Sequence, residues 1–164
     1  AFGAEDPVFR RPRQGRRALL LTLEALREAP GGSGKLADAL SLVDGLAIQR
    51  SLIVVVSDFR GSYDWRTPLL RCAGRHPTVA VEIRDPREQE LPNAGELWLV
   101  DPETGRQLRV DTRSAKLRAR FASAAAEERT GLARMLTSLG VRHVVLSTSG
   151  DWLRPLALFL RRAK

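Results

Sequence analysis

The chain reads as an α/β protein, a mostly parallel sheet flanked by helices in three layers. Two observations predict this. The first is Leu52-Ile53-Val54-Val55-Val56-Ser57-Asp58, an apolar β-branched run without alternation, the pattern of a strand buried on both faces in a parallel sheet. The second is the return of that pattern at residues 78–83 and 141–146, with helical periodicity between the runs, the signature of βαβ units. The three runs lead into Asp58, Asp85 and Ser147. Ligands of open α/β sheets bind at such carboxyl ends, so these three positions are where a site is expected.

The elements follow in order. Residues 8–17 carry Arg10, Arg11, Arg13, Arg16 and Arg17 around Pro12 and Gly15, and read as a strand end with a basic loop. Leu19, Leu20, Leu23 and Leu26 at helical spacing predict a helix over 18–28, broken by Pro30-Gly31-Gly32-Ser33-Gly34. Leu36, Leu40, Val43 and Leu46 form the stripe of a second helix over 35–46. The strand at 52–57 follows, then a helix over 65–74 and a strand over 78–83. Residues 97–100 and 107–110 flank Asp101-Pro102-Glu103-Thr104-Gly105, which predicts a β-hairpin near residues 96–111 with Gly105 at positive φ. The longest helical pattern covers 114–139, with Leu117, Phe121, Leu132 and Leu136 on its apolar face and Gly140 just past its end. A strand at 141–146 and an amphipathic helix over 151–162 close the chain. Asp151 stands at that helix's start and Arg161 and Arg162 in its last turn, as the helix dipole favours.

With 164 residues the chain has room for one domain with a real core. No apolar run approaches the ~20 residues of a membrane span. The first residues lack the pattern of a signal peptide, and the absence of an opening methionine suits an internal piece of a longer protein. The single Cys72 lies in a helical pattern as a small hydrophobe, and one unpaired cysteine fits a reducing compartment, the cytoplasm. The net charge of +8 is carried almost wholly by arginine, the lysines being Lys35, Lys116 and Lys164.

Several motifs fall short of a chemistry. Gly31-Gly32-Ser33-Gly34-Lys35 lacks the phosphate-loop pattern, since Ala29 stands at its first glycine and Leu36 at its Ser/Thr. His76 and His143 have no second ligand at zinc spacing. A triad of Ser147, His143 and Asp151 lacks the nucleophile elbow, and His143 reads as a packed strand residue. Asp58 alone is too little for a metal, which would need Asp85, Ser147 or other oxygen donors to converge on it; otherwise it caps the loop that follows. If the basic Arg10–Arg17 stretch and the acidic window from Glu82 to Glu103 lie on different faces, the charge distribution is two-sided and suits oriented protein docking; otherwise the two are parts of a mixed-charge surface.

The segments Ser57-Asp58-Phe59, Trp65, Val81-Glu82-Ile83-Arg84-Asp85-Pro86-Arg87-Glu88 with Glu90-Leu91-Pro92, Asp101-Pro102-Glu103-Thr104-Gly105, Val110-Asp111-Thr112, and Ser147-Thr148 to Asp151-Trp152-Leu153 cover most of the chain. In that order they resemble the bacterial domain-of-unknown-function family fifty-eight. The resemblance implies a divergent von Willebrand factor A-like (Rossmann-like) fold, and a non-enzymatic adaptor working with a MoxR-type AAA+ ATPase. It also implies that Asp58 stands at the last ligand position of a metal-ion-dependent adhesion site. The site's Thr position falls on Gly34, beside Ser33, and its Asp-x-Ser-x-Ser motif is absent. Ala1-Phe2-Gly3-Ala4 resembles the end of a middle strand, which places the family's first strand and first helix upstream.

The expectation is therefore a single von Willebrand A-like domain over residues 1–164 that binds protein partners in the cytoplasm. Its interaction residues are Arg10, Arg11, Arg13, Arg16, Arg17, Asp85, Glu88 and Glu90, and its exposed sheet edge invites homo-oligomerisation. No cofactor is expected, Mg²⁺ only if upstream residues complete the site around Asp58. The alternatives are a metal-dependent hydrolase or phosphotransfer enzyme using Asp58, Asp85 and Ser147, and a nucleic-acid binder using the Arg10–Arg17 loop.

Overall fold

In a computed structural model of the protein, residues 14–28, 34–100, 105 and 107–162 are described. The elements run α1 (Arg16–Glu28), α2 (Leu36–Leu46), β1 (Ile53–Ser57), a 3-10 turn (Tyr63–Trp65), α3 (Arg66–Arg75), β2 (Thr78–Arg84), a second 3-10 turn (Pro86–Glu88), β3 (Glu96–Val100), β4 (Gln107–Asp111), α4 (Ala115–Ser138), β5 (Arg142–Ser147) and α5 (Leu153–Arg161). They fall into two compact units, Ala1–Arg50 with Ser62–Arg75 and Ser51–Gly61 with His76–Lys164. The reading of residues 8–13 as a strand end and basic loop lies outside the described residues.

The first unit is helical. Leu40 of α2, Trp65, and Leu69 and Cys72 of α3 form its buried core. Tyr63 meets Trp65 edge to face, with ring centroids 5.7 Å apart. Asp44 of α2 binds Arg75 at 2.9 Å and Arg71 at 3.4 Å. Arg75 also donates to the carbonyl of Asp44, meeting a helix end that has lost its own partners. In α1, Leu19, Leu20, Leu23 and Leu26 are all exposed, so the helical stripe is present but none of the helix is buried among the described residues.

The second unit holds a three-stranded parallel sheet in the order β1-β2-β5 and a separate antiparallel ribbon of β3 and β4. Val79, Val81, Val144 and Leu146 share one face of the sheet, where Leu156 and Phe159 of α5 pack on them. The Arg142 guanidinium lies 4.5 Å from the centre of the Phe159 ring, closing the end of that layer. α4 packs against β5 and buries Leu132 and Leu136. Its end forms the expected glycine cap: the Val141 N–H donates to Leu136 O and the Gly140 N–H to Thr137 O, with Gly140 at φ +71°. The hairpin forms where expected, with Gly105 at φ +67°.

One expectation is corrected. β1 is not buried on both faces: among the described residues it pairs on one side only, with Ile53 and Val55 buried but Val54 and Val56 half exposed. Register explains the split. Val54 and Val56 align with Val79 and Val81, the face that α5 covers only over β2 and β5.

Candidate functional site at the carboxyl end of the sheet

The loop after β1 is built by its own side chains. Ser57 Oγ accepts from the Phe59 N–H at 3.0 Å, and Asp58 Oδ1 accepts from the Arg60 N–H at 3.2 Å. These two turns drive Phe59 into the left-handed region at φ +54°, a conformation that costs a residue with a side chain about 1–2 kcal/mol. Burial of the Phe59 ring, 3% exposed, offsets that strain. Arg60 then reaches Glu88 at 2.8 Å, tying the loop to the 3-10 turn after β2. Asp85 caps that turn, accepting from the Arg87 N–H at 2.9 Å.

Each acidic residue at the strand ends thus serves its own loop. Asp151 caps α5 through the N–H groups of Leu153 and Arg154. Ser147 accepts from the Ser149 N–H at 3.2 Å. His143 turns away from Ser147 and Asp151 to a partner on β2, so the three do not form a triad. A divalent cation needs several oxygen donors, and Asp58 offers one carboxylate with one oxygen already engaged. Gly34 supplies no side chain. Among the described residues no group of three or more His, Cys, Asp or Glu side chains could hold a metal ion.

The sheet's other face carries a charged network that the sequence does not announce. Glu82, only 4% exposed, accepts from His143 at 2.8 Å through one oxygen, and from Arg84 Nε and Nη2 at 2.9 and 2.5 Å through the other. Burial pushes the Glu82 carboxyl up. The hydrogen bonds from His143 and Arg84, with the guanidinium charge, outweigh it and hold the carboxyl below its ordinary value. The available signal is Glu82 itself, a carboxylate inside an apolar run. Its partner could not be read, because register across β2 and β5 is not written in either strand alone.

The expected interaction residues are surface groups. Arg16 and Arg17 are exposed at the start of α1; Glu88 and Glu90 are exposed and Asp85 half-buried after β2; Arg10, Arg11 and Arg13 lie outside the described residues. Not foreseen is Trp98 on the ribbon, 64% exposed and paired in register with Arg109, which bonds Glu96. Thr112, fully buried, ties the ribbon's base: it donates to Gly95 O at 2.6 Å and accepts from the Ala94 N–H at 3.1 Å.

The family described as protein of unknown function DUF58 matches residues 1–131. An uncharacterised protein of Mycobacterium avium is 38% identical over 152 residues, 91% of this chain and 88% of its own length. An uncharacterised protein of Mycobacterium tuberculosis (strain ATCC 25618 / H37Rv) is 36% identical over 151 residues, 90% of this chain and 47% of its own, so the chain spans about half of that relative. A protein of Paracoccus denitrificans, named as uncharacterised and in the moxR 3′ region, is 34% identical over 94 residues, 57% of this chain and 89% of its own. No solved structure matches. Among the described residues no helix is long and apolar enough to cross a membrane.

Proposed function

The chain belongs to the DUF58 family of proteins of unknown function, and from that premise we propose that it is a protein-interaction module, not an enzyme, acting with a MoxR-type AAA+ ATPase in protein assembly or maturation. The observation that carries this is the Paracoccus relative, named for its place beside moxR. The strand-end acids support it as well: Asp58, Asp85 and Asp151 each hold their own loop, and among the described residues these three converge on no base. The docking groups are Arg16 and Arg17, with Arg10, Arg11 and Arg13 before them, and Asp85, Glu88 and Glu90. Exposed Trp98 opposite Arg109 is the residue pairing that protein interfaces favour.

On this reading the parallel sheet is part of a single von Willebrand A-like domain whose first strand and helix lie upstream. Asp58 is a remnant of its metal site and now holds a loop. The unpaired Cys72 suits the cytoplasm. The test is titration of the purified chain with the MoxR-type ATPase of the same genome, in ATP and in ADP. Binding that weakens with salt and on replacing Arg16 and Arg17 by Glu is expected. No binding in either nucleotide at about 100 μM, where even a weak transient contact registers, would overturn it.

A further inference from the structure

The charges of α4 are placed against the helix that carries them. None has an opposite charge three or four residues along, the spacing at which ion pairs support a helix. None enters an ion pair among the described residues, although Asp44, Glu82, Glu88, Glu96 and Asp111 all do. Lys116 and Arg120 stand four residues apart, a like-charge pair that costs the helix stability. Lys116 also lies in a first turn without an acid, against the helix dipole. Sequences break such local rules chiefly where a surface serves something outside the chain.

Helical periodicity puts Lys116, Arg120, Ser123 and Glu127 on one stripe, and all four are exposed. Buried Leu132 and Leu136 lie on the opposite side of the helix. The stripe is fixed at its start. Arg118 donates to Thr112 O at 2.5 Å and to Arg113 O at 2.9 Å, fastening the first turns of α4 to the base of the ribbon. The stripe is also bipolar. Its two cations stand at one end, and Glu127, which accepts from the Ser123 hydroxyl at 3.2 Å, stands about 10 Å past Arg120 along the helix. A polyanion such as a nucleic acid would gain Lys116 and Arg120 but be repelled by Glu127. A protein surface of opposite polarity matches all three. Resting on the reading of the chain as a partner of a MoxR-type ATPase, we propose that this stripe of α4 is where the ATPase docks. The docking segment sets carboxylates against Lys116 and Arg120 and a basic group against Glu127.

Titration of the ATPase with charge-reversed chains tests this. Lys116→Glu combined with Arg120→Glu should weaken binding about tenfold or more, and Glu127→Lys should weaken it as well. Circular dichroism should stay unchanged in both. Lys116→Glu alone should raise the melting temperature of the free chain by about 1–3 °C, since it gives the first turn an acid and Arg120 an opposite charge four residues back. A wild-type chain that binds the ATPase while neither reversal matters leaves the partner reading standing and overturns the stripe. No binding by the wild type overturns both. Stronger binding by Glu127→Lys overturns the proposal in favour of a polyanion. A wild-type dimer in sedimentation equilibrium that the double reversal dissociates overturns it in favour of a second copy. A lower melting temperature for Lys116→Glu overturns it too, because an acid of the chain itself would then already hold Lys116.

Discussion

Replacing Glu82 by glutamine keeps the side chain's shape and removes the charge on which His143 and Arg84 converge. Breaking a buried pair by deleting one partner costs about 3–5 kcal/mol, because the other is left in the interior without its counter-charge. The Arg84 side chain is 23% exposed and can draw on water, which places Glu82→Gln near the low end, about 3 kcal/mol. The loss depends on pH. The folded carboxyl lies below its ordinary value of 4.5, so the unfolded chain takes up its proton first as pH falls. The network's contribution is complete above that ordinary value and is lost as pH falls through the folded one. Urea unfolding followed by tryptophan fluorescence should therefore show the full difference between wild type and Glu82→Gln at pH 7, shrinking well below pH 4.5. A variant within about 0.5 kcal/mol of wild type at pH 7, the range of an ordinary surface change, would refute the reasoning. A gap unchanged in strong acid would refute it equally.

Thr112→Val removes the bond to the Ala94 N–H and one of the two that Gly95 O accepts, the other coming from the Thr112 N–H at 2.7 Å; because these groups are only partly buried the change should cost about 1–2 kcal/mol in urea unfolding, while Thr112→Ser keeps both side-chain bonds and most of the stability. Gly140→Ala meets no atom within 4 Å, so its cost is the left-handed backbone alone, about 1–2 kcal/mol by the same measurement. The Cys72 thiol is fully buried, and burial pushes its pKa up; labelling by a thiol reagent at pH 8 should track unfolding, and completion within seconds in native buffer would contradict its place in the core. Calorimetric titration with Mg²⁺ or Mn²⁺ should show no micromolar binding; such binding would mean that Asp58 has oxygen partners beyond its loop.

The sequence carries local information well and pairing poorly. Gly105 and Gly140 stand at positive φ where turn and cap chemistry place them, and the three β-branched runs all become parallel strands. What they lack is position within the sheet: Val54 and Val56 look as buried as Val79 and Val81, and only the order β1-β2-β5 separates them. Cys72 is legible as a small hydrophobe because its neighbours share its helix face. Glu82 stands out as an anomaly without a partner, because His143 becomes its neighbour only through tertiary register. Leu19, Leu23 and Leu26 mark α1 as amphipathic, but amphipathicity names a face and not what lies against it.

The parallel pairing of β2 with β5 also sets an order of events in folding. Glu82 and His143 are 61 residues apart, and closing a loop of that length costs roughly 3–4 kcal/mol of chain entropy before any contact repays it. β1 and β2 lie much closer in sequence, and the β3–β4 ribbon is more local still. During synthesis β1 and β2 leave the ribosome before β5, so their pairing waits, half-covered, for the carboxyl-terminal third. Over that interval Glu82 lacks His143, and Val79 and Val81 lack α5. Folding of the second unit should therefore be limited by arrival of β5, the slow step expected of distant parallel strands.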